Sequence, residues 1–240
     1  LLEKVKLACT HVGRPAPTLA SPFVVEEVKT SPWIPTSKKP HVKVSTPLKN
    51  IILMGTSTGG PRALQKVLQQ LPKWEDTAIL IVQHMPPLFT KSLAKRLDQL
   101  SPYHVQEAED GQLIQGGHVY IAPGGVHMEI KVLASSLAIH LHQGPPKGGH
   151  RPSVDILFAS AANISKQQVI AVVMTGMGKD GTEGLKTLKR ARKVYTIAEH
   201  ESTCIVYGMP RSIVEANLAD EVVPLEQIHL VLERLTNRRR

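Results

Sequence analysis

Three almost wholly apolar runs, Ile51–Met54, Ala78–Val82 and Val169–Met174, each break into a short loop marked by glycine or proline. Runs of this length without polar alternation suit strands buried on both faces, the condition of a parallel sheet covered by helices. Amphipathic segments follow the first two. Ala63, Leu64, Val67, Leu68 and Leu71 repeat at helical spacing after Pro61, and within 88–100 Leu93, Ala94, Leu97 and Leu100 repeat in the same way. The alternation predicts βαβ units with right-handed crossovers from Leu48 onward. Further helices are expected over 154–164, 182–192, 209–216 and 225–235, with strands near Val194 and Val222. Between residues 103 and 142 the runs shorten and alternate (His118–Ile121, Met128–Val132, Leu137–His142), which predicts antiparallel hairpin material attached to the parallel sheet.

The bulk properties exclude several classes. No window of about eighteen uninterrupted apolar residues occurs, and no basic segment followed by an apolar signal core opens the chain, so a cytoplasmic protein without membrane insertion is expected. Cys9 and Cys204 are the only cysteines, too few for a disulfide framework or a metal knuckle, and both should be reduced. The formal charge of +9 is unevenly spread: +4 lies in residues 1–47, +3 in Arg238–Arg240 and only +2 between them. A basic face on the folded part is not indicated, and nucleic acid is not an expected partner. Seven of the eighteen prolines precede Leu48, so residues 1–47 read as a linker. Leu1–Ala8 has helical spacing and the chain opens without methionine, which gives the expectation of a piece of a longer protein. The domain proper is expected over 48–237, with 238–240 as a basic tail.

The loops after the three apolar runs carry Ser57, His84 and Asp180. Parallel sheets bind ligands beyond the carboxyl ends of their strands, so loops far apart in sequence can converge there. Gly55-Thr56-Ser57-Thr58-Gly59 satisfies G-x-S-x-G between a strand and a helix, the setting of a nucleophile elbow. Two other readings stand beside it: Ser57 or Thr58 caps the following helix, or the glycine-rich loop cradles a phosphate. His84 suits a general base near neutrality but also a half-buried loop histidine bonded to backbone. Asp180 would orient that base, or simply cap the helix near Thr182. A different hydrolase order would use His200 as base with Asp180. Arg151, in Gly148–Asp155, could face an anionic or carbonyl group, and Ser153 could cap. His140 and His142 share a strand face without a third ligand, so no metal is expected, and Cys204 reads as a buried inert thiol.

Taken together, the blocks Gly55–Pro61, Val82–Pro86, Glu107–Gly111, Val119–Gly125, Gly149–Asp155, Thr175–Gly181 and Tyr207–Pro210 resemble the catalytic domain of CheB-type chemotaxis methylesterases, from about Asn50 to about Leu235. The resemblance implies a doubly wound α/β domain with an antiparallel hairpin, needing no cofactor. It implies Ser57 as nucleophile, His84 as general base and acid, and Asp180 as orienting carboxylate. Backbone N–H groups at Thr58 and in the Met177 loop are then the expected oxyanion donors. The implied substrates are glutamyl methyl esters of methyl-accepting chemoreceptors, with glutamine deamidation as a second reaction. Members usually carry an N-terminal receiver domain, which would link this chain to the chemotaxis histidine kinase; the proline-rich opening looks like the linker that follows one. Two departures flank the site: Ala191–Tyr195 lacks paired glycines, and Glu199-His200-Glu201 stands where Gln-Asp-Glu is usual.

Overall fold

The computed structural model describes residues 46–237; the linker up to Ser45, Cys9, the Leu1–Ala8 segment and the Arg238–Arg240 tail lie outside the described residues. Seven strands form one sheet in the order β3-β4-β2-β1-β7-β8-β9, and every neighbouring pair is parallel. They are β1 (Asn50–Thr56), β2 (Thr77–Gln83), β3 (His104–Glu107), β4 (His118–Ile121), β7 (Gln168–Val173), β8 (Val194–Glu199) and β9 (Glu221–Val223). The remaining two, β5 (His127–Val132) and β6 (Leu137–His142), pair as an antiparallel hairpin outside that sheet.

Both central strands, β1 and β2, are buried along their whole length, as continuous apolar runs require when helices cover both faces. Successive side chains then enter opposite cores. Ile51 and Leu53 pack with α3 (Val154–Ser160), α4 (Thr182–Ala191), α5 (Met209–Glu215) and the hairpin. Ile52 and Met54 pack on the other face with α1 (Gly60–Gln70), α2 (Phe89–Leu100) and α6 (Ile228–Asn237). The chain leaves β1 toward β2 and later returns to its other side as β7, so the winding reverses at β1. That reversal is where an open α/β sheet forms a crevice.

The expected α/β class, helices and hairpin are all present, with one difference in detail. His118–Ile121, read as hairpin material, is β4, and it pairs in parallel with both β2 and β3. Alternation reports that a strand is half-buried; it carries nothing about the direction of its partner. Residues 108–117 make the β3-to-β4 return without a helix, so the usual βαβ rhythm is absent there. Among the described residues no helix is long and apolar enough to cross a membrane.

Candidate active site

The site is built at the carboxyl edge of β2, β1 and β7. Thr56 is in register with Gln83, and the His84 N–H donates to the Thr56 carbonyl at 3.1 Å, so Ser57 and His84 leave neighbouring strand ends. On the other side, the Ser57 N–H donates to the Thr175 carbonyl at 3.0 Å, which lays the Thr175–Gly181 loop against the serine. Glycines let these segments meet. Gly59 has φ +84°, and a Cβ there would come within 2.7 Å of Ile205; a Cβ on Gly176 would lie 2.8 Å from that of Ser57. Gly59 is the residue before α1, and no side chain caps that helix, so the capping roles considered for Ser57 and Thr58 are not what the loop does.

Asp180 is the most heavily bonded group at this edge. Its Oδ2 lies 2.8 Å from His84 Nε2 and accepts the Val154 N–H at 2.7 Å. Its Oδ1 accepts the Ser153 hydroxyl at 2.8 Å and the Asp155 N–H at 3.0 Å. Burial alone would raise its pKa, but these hydrogen bonds, His84 first among them, outweigh that and hold the carboxyl below its ordinary range. It is therefore ionised at neutral pH. Rather than capping α4, which follows it in sequence, Asp180 receives the first N–H groups of α3. Asp155 answers in the other direction, its Oδ1 accepting the N–H groups of Gly181 and Gly184 at 2.9 and 2.7 Å. The two loops hold each other.

In the neutral imidazole an ionised carboxylate at Nε2 selects the tautomer with the hydrogen on Nε2 and the lone pair on Nδ1. Nδ1 is buried and has no hydrogen-bond partner among the described residues. Ser57 Oγ makes no hydrogen bond to it in this state, although the two residues occupy adjacent strand ends. One face of the imidazole is covered by His150, stacked at 3.9 Å between centroids and 6° between planes. Burial, followed by repulsion from His84, keeps His150 below the ordinary histidine pKa.

Other expected site residues divide. The N–H groups of Thr58 and Met177 have no acceptor among the described residues, while the Met177 side chain is exposed. Arg151 sits in the loop of His150 and Ser153, but its guanidinium donates to the carbonyls of Gln143 and Gly144 at 3.3 and 3.1 Å. His200 is exposed and bonded to Ser202, so Asp180 is paired with His84 and not with His200. His140 bonds to Asp110, and no group of three or more His, Cys, Asp or Glu among the described residues could hold a metal ion. Cys204 is half-buried, its thiol pushed up to about 12 by burial and then by Glu199. Sequence reasoning gave no role to Gln83, His150 or Asp155. The signal for Gln83 was available: a single amide closing an otherwise apolar strand.

Comparison with known proteins places the chain in a family. The family model described as CheB methylesterase matches residues 52–232. A protein-glutamate methylesterase/protein-glutamine glutaminase of Halalkalibacterium halodurans is 53% identical over 216 residues, covering 86% of this chain and 62% of that protein. One of the same description from Bacillus subtilis is 42% identical over 230 residues, covering 95% of this chain and 63% of the relative. The chain thus spans about three-fifths of the length of these relatives. A crystal structure of the Thermotoga maritima CheB methylesterase catalytic domain superposes with a TM-score of 0.75 at 45% identity, covering 78% of this chain and 98% of that one.

Proposed function

Since the chain belongs to the CheB methylesterase family, we propose that its domain is a serine hydrolase that removes methyl esters from glutamyl side chains, with Ser57, His84 and Asp180 as its machinery. The observation that carries this reading is the buried His84–Asp180 pair, which leaves Nδ1 as an unpartnered base at the strand end beside Ser57. The substrate class is the one for which the relatives are named; methyl-accepting chemoreceptors are its proposed bearers, met by this domain from the cytoplasm.

In the proposed reaction the Ser57 oxygen attacks the ester carbonyl carbon and its proton passes to His84 Nδ1, an assistance of about 10²- to 10⁴-fold for a well-placed base. The oxyanion that forms is met by the free N–H groups of Thr58, in the loop before α1, and Met177; each such donor contributes about 3 kcal/mol. His84 returns the proton to the departing methoxide, and methanol leaves an acyl-enzyme. Water then attacks that ester, its proton moving to His84 and on to the Ser57 oxygen, which leaves glutamate. Ionised Asp180 stabilises the imidazolium in both halves. A glutamine substrate would follow the same path with ammonia leaving.

Methanol release from methyl-esterified receptor membranes tests the reading directly. Ser57→Ala and His84→Ala should lower turnover by at least about 10³-fold in folded protein, whereas His200→Ala should retain it. A folded Ser57→Ala variant that releases methanol at the wild-type rate would end the proposal.

A further inference from the structure

β2 is apolar from Ala78 to Val82 and then closes with Gln83, which is 2% exposed. A buried amide is costly unless its donors and acceptor are all engaged, and here they are. Gln83 Oε1 accepts the Thr56 hydroxyl at 2.7 Å, and Nε2 donates to the Ser57 carbonyl and to the His84 carbonyl, each at 3.0 Å. Two carbonyl oxygens can be met only by the NH₂ end, so the amide's orientation is determined by its partners.

The position of this amide matters more than its satisfaction. Backbone pairing between β1 and β2 ends with the bond from the His84 N–H to the Thr56 carbonyl. Beyond it, no backbone hydrogen bond among the described residues joins residue 57 to residue 84. The Gln83 side chain extends the connection by one residue past the ladder and holds both main chains from a single rigid group. Room for it depends on a missing side chain: a Cβ on Gly60 would lie 1.9 Å from Gln83 Oε1. The same Ser57 carbonyl also accepts the Gly60 N–H at 2.9 Å, closing the turn into α1.

We propose that Gln83 is a positioning residue that sets the separation between the nucleophile and its base, by clamping the main-chain carbonyls of Ser57 and His84. The proposal rests on the reading of those two residues given above. The imidazole is anchored at Nε2 by Asp180, so its approach to Ser57 is governed by where the two backbones stand. A misplacement of about 1 Å costs on the order of 10²-fold in rate. Gln83 offers the substrate no free polar atom, so its loss should act on turnover and leave binding alone.

The test compares Gln83→Met, which keeps length without hydrogen bonds, with Gln83→Glu, which keeps the acceptor for Thr56 and sets an oxygen against the two carbonyls. Leu97→Ala, a buried position on α2, serves as a destabilised control. Methanol release from methylated receptor membranes gives kcat and KM, and a fluorophosphonate probe gives the rate of Ser57 labelling. The expected result is a kcat lowered about 10- to 100-fold with KM within about twofold of wild type, labelling slowed in parallel, and kcat retained in Leu97→Ala. If Gln83→Met does not fold, Gln83→Glu is judged by the same criteria. A Gln83→Met kcat within about twofold of wild type, or a Leu97→Ala loss as large as that of the Gln83 variants, overturns the clamp. Should Ser57→Ala and His84→Ala abolish turnover while Gln83→Met is active, only the clamp fails; should those two retain turnover, the underlying reading fails and takes the clamp with it.

Discussion

Asp180 shows how much one side chain can be asked to do. It orients His84 and at the same time receives three groups from the start of α3, and the pH dependence of that double role has a definite sign. Its folded pKa is depressed, so its stabilisation is fully present above the unfolded value of about 3.9 and is lost as pH falls through the lower folded value. Replacing it with Asn should therefore destabilise the protein most at neutral pH. In urea titrations the gap between wild type and Asp180→Asn should hold steady down to about pH 5 and narrow as the pH falls further toward about pH 3; a gap that does not narrow there would contradict the ionised carboxylate. Turnover should fall about 10³- to 10⁴-fold, as expected when a base loses its orienting charge. Ser57, His84 and Asp180 were legible as strand-end residues because apolar runs and glycine loops announce strand ends. Gln83 stood out only as an amide closing an apolar run, and its task, like those of His150 and Asp155, was not legible, since it lies mainly in partners 26 or more residues away.

The α3 and α4 pair is the clearest case of one element fixing another. Gly184 sits inside α4, where Ala would ordinarily be favoured by about 1 kcal/mol. At this position a Cβ would lie 2.2 Å from the backbone oxygen of Asp155 and 2.5 Å from its Cα, so the overlap is with main chain that cannot swing away. Packing wins over propensity. Gly184→Ala should destabilise by roughly 2 kcal/mol or more and reduce turnover, because it separates the two loops that hold Asp180; a rise in melting temperature would show that propensity governs after all. The helices themselves were readable from periodicity to within a few residues: α2 begins at Phe89, one residue inside the expected span, and α3 stops at Ser160, continued by a short 3-10 turn, short of the expected 164. The direction of β4 was not readable. A four-residue strand of mixed polar and apolar residues looks alike whether its neighbour runs with it or against it.

At the level of the whole molecule, the winding reversal at β1 gathers groups from both halves of the chain into one crevice. Ser57 and His84 come from strands laid down before the β5–β6 hairpin, Asp180 from a loop that follows it, and the β1–β7 pairing brings the two parts side by side. In the turn of that hairpin, residues 133–135 are exposed at every position. Expressing the chain as two pieces divided there, each alone should show no esterase turnover, and mixing should restore it only if the sheet reassembles; activity in either piece by itself would mean the chemistry lies elsewhere. Overall class and the antiparallel pair could be anticipated from the rhythm of strands and helices, yet strand order could not, because neighbours in the sheet are set by crossovers of very different length. The Gln83 amide, described above as holding two main chains, also has an evolutionary corollary: Gly60, Thr56 and Gln83 form a mutually dependent set, so a drift at any one of them would have to be matched at the others before turnover could recover.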